Sequence, residues 1–350
     1  MKTRIILLVD SSLFGGIESH LVQLSQLLVH HNVAFEVLFY QQHNNQQFYQ
    51  QLEQHNINFT VLLGTFRALY QYLKQQTQPI VVHTHGYKAG ILGRLACLIQ
   101  RKAVVSTFHA GEIGLGRVKY YNLLDRISSI LSVNFAVSQP IAKKVHQATL
   151  IANFINPRTL HYQPLKSVIN IGYVGRLSSE KGPDVFLSLA QACQYLPQFS
   201  FHIFGDGPLK EQITSVPSVH YHGQCNSDEI WPKLDVLIVS SREEGMPMVI
   251  LEAMNNGVAI ISHPVGAIPT IIENNQTGQI SKGFGASCLK NALLHWFYLA
   301  EPVKQQQILA AHTKVNRDFC GQSQFKQLQQ GYHKALEKVA NRLTSTHITD

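Results

Sequence analysis

Residues 234–263 read LDVLIVSSREEGMPMVILEAMNNGVAIISH. An apolar run, Val236 to Val239, ends in two serines, and a second run, Val258 to Ile261, closes the stretch. Short, near-continuous apolar runs bounded by turn residues are the signature of strands buried on both faces of a parallel sheet. Between them the spacing predicts a helix from Pro247 to Asn256, because Pro is well placed at a first helical position. Gly245 and Pro247 disfavour one helix running unbroken from Glu244 to Glu252. Strand, helix and strand make a βαβ unit, so Glu244 is expected on the loop before the helix and Glu252 within it.

The same alternation extends in both directions. RIILLVD, FEVLFY, FTVLL, PIVVHTH, AVVSTFH and SVNFAVS form one series of strand-like runs, with helical spacing between them at Ile17 to His30 and Ala89 to Gln100. A polar stretch with two prolines, LIANFINPRTLHYQPLKS, interrupts it. VINIGYVGRL, SFHIFGDG, SVHYHGQ, LDVLIVSS, GVAIISH and TGQIS then form a second series. The boundary is expected at Tyr162 to Lys166, giving domains at 1–164 and 165–315. In the tail, Phe325, Leu328, Tyr332, Leu336, Val339 and Leu343 recur at helical spacing. A closing helix in 316–350, crossing back to the first domain, is expected.

With 350 residues and 45% hydrophobic side chains, the chain is large enough for two ordinary cores. Five scattered cysteines, without CxxC spacing, suggest a reduced, cytoplasmic chain. The apolar run Ile5 to Val9 is too short for a signal-peptide core, and no run approaches the length of a membrane span. Residues 1–164 hold 14 Lys plus Arg against 6 Asp plus Glu, a balance of +8; residues 165–350 hold 15 of each. The whole excess lies in the first half, which is expected to face something anionic.

Open parallel sheets bind ligands beyond the carboxyl ends of their strands. After the first strand, Gly15 and Gly16 open a helix whose amides could meet an anion; this is not the GxGxxG dinucleotide fingerprint. After the first strand of the second series, Arg176 and Lys181 stand together on a loop and suit a diphosphate, one as a planar fork and the other as a point charge. Glu244 and Glu252 border one helix N-terminus, where amides favour an anion and carboxylates accept hydrogen bonds from sugar hydroxyls. A nucleotide sugar needs that combination. His83 and His85 have metal-like i, i+2 spacing without an evident third ligand, and no DxD triplet occurs, so metal independence is expected. The stretch Gly114 to Leu131 mixes Arg117, Lys119 and Arg126 with Tyr120, Tyr121 and Leu123, a composition that could rest on anionic lipid headgroups.

GGIE at 15–18, GRLSSEKG at 175–182, FGDGPLKEQI at 204–213 and EGMPMVILEAMNNGVAIISHPVGAIPTII at 244–272 resemble, in order, the signature blocks of retaining glycosyltransferase family four, the group 1 transferases. The resemblance covers roughly 15 to 295 and implies an α/β fold of GT-B architecture, two Rossmann-like parallel-sheet domains facing a cleft. It implies that Arg176 and Lys181 hold a donor diphosphate, Glu252 binds ribose hydroxyls, and Glu244 stands beside the donor sugar. Gly245, Met246, Pro247, Met248 and Val249 match the backbone segment that meets sugar and phosphates. His109, in STFHAGE, matches the first-domain histidine that reaches the donor sugar, and Gly15 and Gly16 match the loop that closes on the phosphates. Donor selectivity is expected around Gln224, Cys225 and Met246 to Met248. Two blocks depart from the pattern: Thr270 replaces a common Glu after GAIP, and Asn153, Phe154, Ile155 and Asn156 stand where NGVD is usual.

The expectation is therefore a metal-independent transferase with no cofactor, its substrates a nucleotide-sugar donor and a glycan or lipid-linked acceptor. An anionic membrane surface on the inner face of the cell membrane is a further expected partner; nucleic acid is not. The rival readings are a nucleotide-sugar epimerase of the same fold and a non-catalytic sugar-nucleotide binder.

Overall fold

The computed structural model describes residues 3–12, 14–109, 117–160, 162, 164–214 and 218–346. The chain divides into two compact units, Met1–Phe154 with Gly321–Asp350, and Ile155–Cys320.

In the first unit, strands and helices alternate: β1 (Arg4–Val9), α1 (Gly16–His30), β2 (Phe35–Phe39), α2 (Gln46–Gln54), β3 (Phe59–Val61), α3 (Phe66–Lys74), β4 (Ile80–His85), α4 (Tyr87–Ile99), β5 (Ala103–Phe108), α5 (Arg117–Ser128), β6 (Val133–Ala136), α6 (Gln139–Ala142) and β7 (Thr149–Leu150). All pairings are parallel, in the order β3-β2-β1-β4-β5-β6-β7. Alternate residues of β1 serve two cores: Ile5, Leu7 and Val9 point into one, Ile6 and Leu8 into the other. That two-sided burial is why the strands read as continuous apolar runs.

The second unit holds β8 (Ile169–Val174), α7 (Pro183–Ala192), β9 (Phe199–Phe204), α8 (Lys210–Thr214), β10 (Val219–Gly223), α9 (Ser227–Ile230), β11 (Val236–Val239), α10 (Met248–Asn255), β12 (Ala259–Ser262), α11 (Ile268–Ile271), β13 (Gln279–Ile280), α12 (Ala286–Phe297) and α13 (Glu301–Asp318). Its six parallel strands run β10-β9-β8-β11-β12-β13. Helix α14 (Gln322–Thr346) belongs to the first unit, where Phe325, Leu328, Tyr332 and Ala335 enter the core that holds Leu7.

Three boundaries differ from the sequence reading. The units part at Phe154 and Ile155, not at Tyr162 to Lys166. The intervening residues are bonded into the second unit: Asn255 donates to the Asn156 carbonyl at 2.9 Å and accepts from the Arg158 amide at 3.3 Å. The tail is not one element from 316, because α13 runs to Asp318 and the chain re-enters the first unit at Gly321. Finally, α10 begins at Met248, with Pro247 as its extended N-cap at ψ 119°. Gly114 to Gly116, read as the start of a helix, lie outside the described residues, and α5 begins at Arg117.

Helix α5 is fastened to α4 through a buried charge. Arg94 is fully buried and pairs with Asp125, donating also to Ser106 Oγ at 2.9 Å and to the Asp125 carbonyl at 3.0 Å. Burial pushes the Asp125 carboxyl up to about 6 against the opposing pull of Arg94. Gly90 makes the approach possible, since a Cβ there would lie 2.5 Å from Asp125 Oδ1. Removing one partner of such a pair strands the other in the interior, so Arg94→Ala is expected to lower stability by about 3–5 kcal/mol in urea unfolding. A loss under about 1 kcal/mol would show that the pair does not hold α5.

Candidate functional site

In the second unit the strand order reverses between β8 and β11, and the loops that follow these two strands lie on either side of the switch point. The first carries Arg176 and Lys181, the second Glu244. Tyr173, at the end of β8, is buried and donates its hydroxyl to the Arg176 carbonyl at 2.7 Å. Burial, with the carboxylates of Glu244, Glu180 and Asp184 adding to it, holds this phenol well above its ordinary range, so it stays a donor. The loop backbone is thereby fixed, while the Arg176 side chain is exposed.

Gly182 lets the two loops approach. Its φ is +64°, and a Cβ would fall 2.3 Å from the Ser240 carbonyl oxygen, a position no other residue fits without strain. Ser240 Oγ donates to the Gly182 carbonyl at 2.8 Å, and Arg242 grips Asp184 with both terminal nitrogens, at 2.9 and 2.5 Å. Across this junction Lys181 Nζ meets Glu244 Oε2 at 2.9 Å, and Ser241 Oγ donates to Glu244 Oε1 at 2.7 Å. The Glu244 side chain is only 6% exposed against 28% for Lys181. Both carboxylate oxygens are thus held before any ligand arrives.

Glu252, the fifth residue of α10, is held separately: Ser227 Oγ, at the start of α9, donates to Glu252 Oε2 at 3.0 Å. Gln224 and Cys225 lie just upstream on the same connection, Gln224 exposed and Cys225 with its thiol toward the His222 carbonyl at 3.6 Å. Gly245 to Val249 join Glu244 to α10, and the Gly245 carbonyl accepts from the Ala267 amide at 2.9 Å. Met246, Pro247 and Met248 are buried, and Val249 is half-buried. Thr270, the residue that departs from the family pattern, turns its hydroxyl onto the Ala267 carbonyl at 2.7 Å.

Two residues that sequence reasoning passed over shape this unit. Ser227 fixes Glu252, and nothing in its local sequence signals that. His263, at the end of β12, is buried; Gly285 donates to its Nε2 at 3.1 Å, which leaves Nδ1 as the donor toward the Ser241 carbonyl at 3.3 Å. It links the turn before α12 to the loop carrying Glu244. Burial lowers its pKa, in keeping with a neutral ring.

In the first unit the corresponding switch lies between β1 and β4. Gly15 and Gly16 precede α1 as expected, but the Gly15 amide already donates to Glu18 Oε2 at 2.8 Å, so it is not the open anion donor the sequence suggested. A Cβ at Gly16 would meet none of the described residues within 4 Å, so no contact among them demands that glycine. His109 follows β5, and His85, at the end of β4, bonds it, Nδ1 to Nε2 at 3.0 Å.

The sequence reading found no third ligand beside His83 and His85; the fold supplies one, though not with that pair. Both nitrogens of His83 are engaged, Nδ1 with the Tyr332 hydroxyl at 2.9 Å and Nε2 with Thr107 Oγ1 at 2.7 Å. The rings that converge are His20, His85 and His109, each offering a nitrogen within 4.8 Å of the others. Three neutral imidazoles at that spacing could hold a borderline cation such as Zn²⁺. Among the described residues, His85 Nε2 and His20 Nδ1 are buried without a hydrogen-bond partner. An orphaned lone pair is less costly than an orphaned N–H, so His85 carries its proton on Nδ1 and donates to His109, whose own proton then sits on Nδ1.

The comparisons with known proteins bear on the fold and the family. Residues 14–186 match the family profile Glycosyltransferase Family 4, and residues 169–296 match Glycosyl transferases group 1. The O-antigen biosynthesis glycosyltransferase WbnH of Escherichia coli is 29% identical over 146 residues, 41% of this chain and 40% of WbnH. The chain therefore spans about two fifths of that relative's length. An E. coli UDP-Gal:alpha-D-GlcNAc-diphosphoundecaprenol alpha-1,3-galactosyltransferase is 25% identical over 268 residues, 64% of this chain and 67% of that protein. The crystal structure of Anabaena Alr3699/HepE in complex with UDP-glucose superposes with a TM-score of 0.74 at 18% identity, covering 98% of this chain and 99% of that one. Two parallel-sheet units with charged loops at a strand-order reversal define an α/β protein of the GT-B class. Within that class, the chain belongs to the family 4, group 1 glycosyltransferases.

The histidines generate a pH prediction. Burial lowers His20 from 6.5 to about 4 and His83 to about 3, and holds His85 and His109 well below the ordinary range, so the folded state binds fewer protons than the unfolded one. Their contribution to stability is complete above 6.5 and is lost as pH falls toward 4. Melting temperature should start to fall below about 6.5, above the range where ordinary carboxylates titrate. A flat profile down to about pH 5 would contradict the burial of neutral rings.

Proposed function

We propose that the chain is a retaining glycosyltransferase that moves a sugar from a nucleotide-diphosphate donor, foremost a UDP-sugar, to a hydroxyl of a glycan or lipid-linked acceptor. The setting we infer is bacterial cell-surface polysaccharide or lipopolysaccharide assembly, supported by the names of WbnH and of the diphosphoundecaprenol galactosyltransferase. The complex of HepE with UDP-glucose supports the donor class.

The single observation that carries this reading is a pair of separately held carboxylates, Glu244 on the loop before one short helix, bonded to Lys181 and Ser241, and Glu252 within that helix, bonded to Ser227. In the proposed reaction the donor diphosphate lies against Arg176 and Lys181, competing with Glu244 for the ammonium. Glu244 then accepts from a hydroxyl of the donor sugar, and Glu252 accepts from the ribose. The acceptor hydroxyl attacks the anomeric carbon on the face the diphosphate leaves; the bond to the departing phosphate oxygen breaks, and the acceptor's proton passes to that phosphate. Arg176 and Lys181 stabilise the charge developing there, electrostatic work of the oxyanion-hole kind. Within the first unit, His109 presents Nδ1–H as a donor for a substrate hydroxyl.

The two carboxylates predict opposite kinetic signatures. Glu244→Ala should cut the release of UDP from a UDP-sugar by on the order of a hundredfold, with little change in UDP affinity, because orientation of the sugar is lost. Glu252→Ala should instead weaken UDP binding by about tenfold or more, the worth of a charged hydrogen bond. The reverse pattern would overturn the assignment, and complete conversion of a UDP-sugar without any acceptor would mark an epimerase. Turnover should also persist in excess chelator; loss on chelation, with restoration by Zn²⁺, would make His20, His85 and His109 metal ligands instead.

A further inference from the structure

Helix α5 wears its apolar stripe on the outside. Tyr120, Leu123, Leu124 and Ile127 recur at helical spacing, Ile130 continues the row in the turn that follows, and all five are at least half exposed. A surface helix ordinarily turns such a stripe toward the core. Here the inward face carries Asp125 and Ser128, both bonded to the buried Arg94 of α4.

The neighbouring helix repeats the inversion. Leu95, Leu98 and Ile99 of α4 are exposed, at 42%, 43% and 53%. The two helices lie side by side and run parallel: Tyr87 stacks on Tyr121 with ring centroids 5.6 Å apart, and seven residues further on Arg94 reaches Ser128 at 3.0 Å. Tyr87 and Tyr121 are themselves exposed, so the two stripes adjoin across this stack and are not singly scattered side chains.

Charge identifies what covers it. Residues 61–144 hold eleven Lys or Arg against two acids, Glu112 and Asp125; setting aside the inward pair of Arg94 and Asp125, and Lys88, which meets Asp10, leaves nine cations against one acid. Lys119 and Arg101, at the margins of the two stripes, are exposed. Among the described residues no helix is long and apolar enough to cross a membrane. We propose that the α4–α5 face docks on the surface of an anionic phospholipid bilayer, its leucines and isoleucines entering the headgroup boundary, its tyrosines at headgroup depth and its cations on the lipid phosphates. A second copy of the chain fits less well, because a two-fold contact brings the same basic patch against itself. The inference rests on this face alone and not on the transferase reading, although a bilayer surface is where a lipid-linked acceptor would be met.

The test is co-sedimentation of the full chain with phosphatidylcholine vesicles, with and without phosphatidylglycerol at about one part in three, at low and high salt. The wild-type chain should bind the anionic vesicles and release in high salt. Leu123→Gln with Ile127→Gln should weaken that binding by about tenfold or more, and Lys119→Glu by about fivefold, both with unchanged melting temperature and unchanged UDP-induced thermal shift. The proposal is overturned if the wild type ignores anionic vesicles, binds neutral ones equally well, or binds undiminished after both changes. It is likewise overturned if sedimentation shows a dimer that the double substitution dissolves, which would assign the face to self-association.

Discussion

The contact between Lys181 and Glu244, 2.9 Å across the strand-order reversal of the second unit, is the interaction on which the proposed donor site depends. It can form only because Gly182 takes a left-handed conformation against the Ser240 carbonyl, and because Arg242 and Asp184 lock the same two loops from outside. The pair is partly buried, so it is stronger than a surface salt bridge and more easily disturbed by a competing charge. A diphosphate is such a competitor. The resting structure keeps Glu244 paired, and in the proposed reaction a diphosphate would take over Lys181.

The first unit follows a different rule. Its chemistry-bearing groups are imidazoles at the ends of β4 and β5 beside α1, His85 buried and His109 half-buried, kept neutral by desolvation and ordered by one another. A neutral ring with a defined tautomer can point one N–H at a hydroxyl, a task an imidazolium would perform with less discrimination. His83 is further inside, tied to Tyr332 of the helix that closes the unit. That bond couples the order of β4 to the return of the chain at Gly321.

Much of this was legible from residue order. The strands from RIILLV to AIIS were readable because burial on both faces leaves continuous apolar runs, and the place of Glu244 followed from Gly245 and Pro247. Three kinds of feature were not legible. The edge strand β7, two exposed residues, carries no run long enough to notice. Ser227, His263 and His20 act through partners at least 22 residues away or through converging rings, and one sequence does not encode such proximity locally. The unit boundary was displaced because Asn156 and Arg158 are bonded to Asn255, so a polar, proline-containing stretch that reads as a linker is structured within the second unit.

The central claim is that the loops after β8 and β11 hold a nucleoside diphosphate. Thermal unfolding of the full chain in UDP, GDP, ADP and a panel of UDP-sugars tests it most directly. The account predicts that at least one nucleotide stabilises the chain, by about 2.7 kcal/mol at a hundredfold excess over its Kd, and that Lys181→Ala removes most of that gain. If no nucleotide shifts the unfolding, or if the shift survives Lys181→Ala together with Arg176→Ala, the diphosphate site is not where this account puts it.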